Sequence, residues 1–66
     1  MGNHIKARRQ DRGWTQKDLA EALSVSRQTV IAIEGGRYDP SLPLAFAIAG
    51  VFECRIEDLF YPVEKP

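Results

Sequence analysis

Apolar residues along this chain recur at three- and four-residue spacing and nowhere in strict alternation, so the pattern predicts helices and no strand. Leu19, Ala20 and Leu23 mark one apolar face, and Val30 and Ile33 a second. Leu44, Ile48 and Phe52, with Ala45 and Ala49 beside them, mark a third. Ile56, Leu59 and Phe60 give a last short apolar turn. Ahead of these, a first helix is expected from His4 to Arg12, with Asn3 as its cap and Gly13 as its stop. The reading is therefore all-α, with five short helices in one domain over residues 1–66 and a flexible tail from 61 to 66.

Punctuation between the stripes sharpens the boundaries. Thr15 precedes Asp18 by three residues, a variant of the capping box that opens a helix. Ser26 is a natural cap for a helix over 27–34, and Gly35-Gly36 a natural stop. Only Ser24-Val25 separates the second helix from that cap, so two helices of roughly eight residues meet at a tight turn, the helix-turn-helix arrangement. Asp39 and Pro40 belong to a loop, Ser41 caps the fourth helix, and Pro43 falls in its first turn, where a missing N–H does no harm. Gly50 interrupts this helix at a cost of about 1 kcal/mol relative to alanine.

The third helix is unusual in carrying its polar chemistry in its first turn, as Arg27, Gln28 and Thr29. An α-helix enters the major groove of duplex DNA end-on, and its first-turn side chains then reach base edges. Arginine bonds bidentately to guanine O6 and N7, and glutamine to adenine N6 and N7; a threonine offers a hydroxyl and a methyl.

Charge changes this picture only when it is divided along the chain. The 66 residues carry nine basic and nine acidic side chains, a formal net charge of zero. Residues 1–37, however, hold seven basic residues against four acidic ones, and residues 38–66 hold two against five. One face can therefore meet a phosphate backbone while the rest stays acidic. The single cysteine, Cys54, can form no disulfide within the chain, which fits a reducing cytoplasm; it is expected to fill a gap beside Phe52 and Ile56. No signal-peptide pattern or membrane-length apolar run is present in the sequence. One histidine (His4) and one cysteine at opposite ends, with no metal-ligand spacing and no phosphate loop, exclude the usual enzyme constellations and point to no metal, cofactor or small-molecule ligand.

The stretch TQKDLAEALSVSRQTVIAIEGGRYDPSLPLAFAIAGVF, followed by IEDLF, resembles the Cro- and phage-repressor-like transcriptional regulators known as the Xre family, over about residues 3–60. The resemblance implies a repressor-like fold whose helices 2 and 3 form the helix-turn-helix, and sequence-specific binding to duplex DNA. By position, it implies base contacts from Arg27, Gln28, Thr29 and Ala32. It implies backbone contacts from Gln16, Lys17, Ser26, Arg37 and Tyr38, with Gln16 also bracing the recognition helix. It implies an ion pair between Arg9 and Glu34. Some positions depart from the family pattern. Ser24 stands where glycine is common and must adopt a left-handed conformation. Arg8 replaces an apolar residue and must cover the core with its stem. Glu53 stands where glycine or a small polar residue is common, Arg55 replaces the usual cap of the last helix, and Ile31 is apolar where relatives are polar.

Self-association is expected from the C-terminal part. Phe52, Ile56, Leu59, Phe60, Tyr61 and Val63 crowd into twelve residues, more apolar surface than one short helix can hide, and exposed apolar patches mark interfaces. A homodimer through Ile56, Leu59, Phe60, Tyr61 and Val63 would read a pseudo-palindromic operator as two half-sites about 34 Å apart. The competing reading is an antitoxin or adaptor that uses the same fold to grip a protein partner.

Overall fold

The computed structural model describes residues 1–63. Its elements run β1 (Gly2–Asn3), α1 (Ile5–Asp11), α2 (Gln16–Leu23), α3 (Arg27–Glu34), α4 (Leu42–Val51), α5 (Ile56–Leu59) and β2 (Phe60–Tyr61). The caps set these limits. Thr15 Oγ1 accepts from the Asp18 N–H at 3.0 Å while Asp18 Oδ2 accepts from the Thr15 N–H at 2.8 Å, so two unpaired donors at the start of α2 are satisfied reciprocally. Ser26 Oγ accepts from the Thr29 N–H at 3.1 Å to open α3, and Ser41 Oγ from the Leu44 N–H at 3.3 Å to open α4.

Four helices end in the same way. Gly13, Ser24, Gly36 and Glu53 all take positive φ, at 70°, 57°, 74° and 54°. The next N–H in each case turns back to a carbonyl five residues earlier: Trp14 to Arg9, Val25 to Ala20, Arg37 to Ala32 and Cys54 to Ala49. This is the Schellman closure, which satisfies carbonyls that the helix leaves open. Two of the four sites carry side chains, so Ser24 and Glu53 hold a conformation that glycine adopts freely.

The core gathers the predicted stripes. Ile5, Leu19, Ala20, Val30, Ile33, Ile48, Ala49, Phe52 and Leu59 form one buried cluster, with Trp14, Leu23, Leu44, Cys54 and Ile56 packed around it. Arg8 is half-buried, as its stem requires. Arg12 lies over the rings of both Trp14 and Phe52, 5.3 and 5.4 Å from their centroids, and joins the α1–α2 turn to the end of α4.

The structure corrects the sequence reading at several points. A strand pair is present where none is predicted: Gly2 pairs with Tyr61 and Asn3 with Phe60, antiparallel. Two-residue strands carry no alternation to detect, because they exist only through a partner far along the chain. Tyr61, assigned to a flexible tail, is thereby held in β2; residues 64–66 of that expected tail lie outside the described residues. The residue that caps α1 is His4, not Asn3. Asn3 still serves the helix start, since its Oδ1 accepts from the Ile5 N–H at 3.2 Å, while its Nδ2 donates to the Ile33 carbonyl at 2.8 Å. Leu59, counted as an interface residue, is 0 % exposed and belongs to the core. α5 presents Leu59 inward, and Phe60, expected to lie exposed, is half-buried as the chain leaves the helix into β2.

Candidate nucleic-acid interface

The site begins with an ion pair beneath the surface. Arg9 on α1 is buried, and its guanidinium donates from Nε to Glu34 Oε2 at 2.7 Å and from Nη2 to Glu34 Oε1 at 3.2 Å. Nη1 donates to the Trp14 carbonyl at 2.9 Å, so each of the three guanidinium nitrogens makes a hydrogen bond. The hydrogen bonds to Glu34 raise the Arg9 pKa above its ordinary value; burial opposes the shift, and the Glu34 charge adds to it. Glu34 is the last residue of α3, so the pair pins the end of that helix to α1.

Glu34 also reaches α2. Gln16 Nε2 donates to Glu34 Oε1 at 3.2 Å, which fixes the first residue of α2 against the last of α3. One amide N–H of Gln16 is used in this bond, and the second remains available to an acceptor outside. Thr15 and Asp18 keep the start of α2 in register, and hydrogen bonding from Thr15, its backbone N–H first and its side chain second, holds the exposed Asp18 carboxyl below its usual pKa.

α3 then projects its first turn. Arg27 and Gln28 are exposed, with Ser26 just before them. Thr29 is half-buried, and its hydroxyl lies 2.9 Å from Ser26 Oγ, so it is engaged within the cap. Ala32 is half-buried one turn beyond Gln28, and its carbonyl accepts from Arg37 and Tyr38, which places both at the end of α3 as exposed side chains. Ile31 is 40 % exposed. Lys17 is exposed next to Gln16.

A recess of about 780 Å³ opens between α1, the start of α2 and the start of α3, and Lys6, Gln16, Lys17 and Arg27 line it together. Lys6 is a residue that the sequence reading did not single out. The available signal was its place one turn before Arg9 on the same helix, legible only once α1 is known to lie against α3. Among the described residues, Lys6, Arg8, Lys17, Arg27 and Arg37 have no carboxylate within 4 Å, whereas Arg9, Arg12 and Arg55 do. Unpaired cations therefore concentrate on the helices that frame α3. Ile56, Phe60, Tyr61 and Val63 lie on α5, β2 and just after, none of them lining this recess.

The helix-turn-helix family profile matches residues 5–59, which spans α1 through α5. The chain belongs to the helix-turn-helix family, of the Xre type. Among its relatives, an HTH-type transcriptional regulator of Methanocaldococcus jannaschii is 58% identical over 60 residues, covering 91% of each chain. A second, from Bacillus subtilis, is 45% identical over 65 residues, covering 98% of both. The immunity repressor protein of Bacillus phage phi105 is 41% identical over 56 residues, covering 85% of this chain and 39% of the repressor. In structure, this helix-turn-helix protein superposes on a hypothetical transcription factor from Neisseria with a TM-score of 0.76, at 24% identity, over 82% of this chain and 61% of that one. That likeness shows the shared fold.

Proposed function

We propose that this helix-turn-helix protein regulates transcription by binding duplex DNA in a sequence-dependent way, as a repressor that occupies its operator and carries out no chemical step. The observation that supports this most directly is the first turn of α3. Arg27 and Gln28, the two side-chain types suited to guanine and adenine edges, stand exposed between unpaired cations on α1, α2 and the loop after α3. The bonds from Arg9 and Gln16 to Glu34 fix the angle at which that turn is presented. Lys6, Lys17 and Arg37 would then hold phosphates, with Gln16, Ser26 and Tyr38 adding polar contacts. Thr29 and Ala32 would lie near the bases, Ala32 suited to a thymine methyl. Relatives named as transcriptional regulators and as an immunity repressor agree with this reading.

The domain would act in the cytoplasm, where the DNA is, and as a homodimer on a pseudo-palindrome. One recognition helix spans too few base pairs to select a site in a genome, and a two-fold pair doubles the readout. An operator recovered by selection from fragmented genomic DNA provides the test. Arg27→Ala and Gln28→Ala should each weaken operator binding by about 1–3 kcal/mol and change binding to random DNA little. Arg37→Ala should weaken both alike and reduce the salt slope by about one unit. Equal losses on operator and random DNA for all three variants would refute base readout by α3.

A further inference from the structure

Ile31 is an exposed apolar residue in polar surroundings. It is 40 % exposed, and among the described residues it is the one large exposed apolar side chain that stands on α1, α2 or α3. The others lie on α4, on the loop after α3, or near β1 and β2. Exposed apolar residues scattered singly are normal on a protein surface, so exposure alone assigns nothing. The setting does. Ile31 lines a hollow of about 230 Å³ with Lys6, Gln16, Glu34 and Gly35. Lys6 and Gln16 also line the larger recess that reaches Arg27. An apolar side chain is thus set among the groups that would hold phosphates, on the face proposed to meet DNA.

Helical register puts Ile31 in line with Arg27. The two are four residues apart and so are neighbours on one stripe of α3, while Val30 and Ile33 claim the inner side. Gly35 continues the stripe, exposed and without a side chain, so nothing at that position holds a duplex away from Ile31. Isoleucine is branched at Cβ, which leaves one strongly preferred χ1 rotamer in a helix, and its methyl groups form a fixed surface. A duplex offers little to such a surface in the major groove. The base edges there present nitrogen and oxygen donors and acceptors, the exception being the C5-methyl of thymine. C5 lies on the flank of the base nearest its own strand, so the methyl projects beside the phosphate wall that Lys6 and Gln16 would line.

We propose that Ile31 reads the C5-methyl of one thymine in each half-site and is a specificity-determining residue of this protein. It selects thymine over cytosine by an apolar contact, where Arg27 and Gln28 select guanine and adenine by hydrogen bonds. The inference rests on the reading of α3 as the helix that meets bases, and adds to it a third base type and the side chain responsible.

Replacing each thymine of the recovered operator in turn by deoxyuridine removes one methyl group and changes no hydrogen-bonding group, which isolates the contact. With wild type, deoxyuridine at one position of each half-site should weaken binding about fourfold, the effect of losing one buried methyl at about 0.8 kcal/mol. Ile31→Ala should show the same loss on the unmodified operator and no further loss with deoxyuridine at that position, so the two changes are not additive. Its thermal midpoint should match that of wild type, since the side chain is exposed and alanine is the better helix former. Deoxyuridine losses that persist undiminished in Ile31→Ala would belong to Thr29 or Ala32 and would overturn the assignment. An Ile31→Ala protein that binds operator as wild type does would overturn it as well. So would one that weakens operator and random DNA alike, a result that puts Ile31 on the sugars. Base readout by Arg27 and Gln28 stands or falls separately, by whether their own variants lose operator and random DNA equally.

Discussion

Removing the Glu34 carboxylate should damage this molecule more than any other single surface-near change, and the size of the effect follows from its partners. In Glu34→Ala the Arg9 guanidinium loses two of the three hydrogen bonds it makes among the described residues, together with the carboxylate paired to it, while keeping the bond to the Trp14 carbonyl. Hydrogen bonds to charged groups contribute about 1.5–3 kcal/mol each, and breaking a buried ion pair from one side costs about 3–5 kcal/mol. The pair lies shallow in a 66-residue chain, where water is never far, so the lower end applies, about 3 kcal/mol. A domain of this size has roughly 3–10 kcal/mol of stability in total. Each kcal/mol moves the thermal midpoint by about 4–8 °C at this length, so circular dichroism should show a fall of about 12–24 °C. Replacing both charges, as Arg9→Met with Glu34→Leu, removes the stranded cation and should recover most of the loss. A midpoint within about 3 °C of wild type for Glu34→Ala would show that the guanidinium is satisfied by water, and the reasoning would fail.

The backbone at Ser24 and Glu53 gives another expectation: Ser24→Gly and Glu53→Gly should each stabilise by about 1 kcal/mol, since both relieve a left-handed residue with a side chain, and no gain in chemical denaturation would refute the strain. Asp18 supplies a pH dependence. Its pKa is lower folded than unfolded, so its contribution is present above the unfolded value of about 3.9 and is lost as pH falls through the folded one. The midpoint advantage of wild type over Asp18→Asn should therefore hold at neutral pH and shrink in acid; a constant difference would mean that the charge is not what the cap uses.

What the sequence makes legible here is whatever is written locally. Thr15 with Asp18, and Ser26 with its Thr29 N–H, define helix starts within four residues, and α2 and α3 appear within a residue of where those caps put them. The left-handed Ser24 is equally local, forced by a two-residue link between helices. The exposure of Arg27 and Gln28 follows from the same register, because Val30 and Ile33 claim the inner side of α3. The strand pair escapes because its stabilisation comes from residues almost sixty positions apart. Leu59 is misplaced for a related reason: it sits in an apolar run, and composition cannot say that it turns inward. Lys6 joins the recess only through the packing of α1 beside α3, a relation no window of sequence contains.

The clasp between β1 and β2 has a consequence for how the chain is made. Gly2 and Asn3 leave the ribosome almost sixty residues ahead of their backbone partners, Tyr61 and Phe60. Asn3 also bonds the Ile33 carbonyl in α3, so the opening residues bind both the middle and the close of the fold. Closing so long a loop costs entropy that grows only with the logarithm of its length, and the cost is met once. During translation, though, β1 must wait: helices α1 to α3 can gather while synthesis continues, but the clasp cannot shut until residue 61 has emerged. Completion of the fold is thereby tied to completion of the segment that carries β2, and a chain cut short of it would leave β1 without its pair.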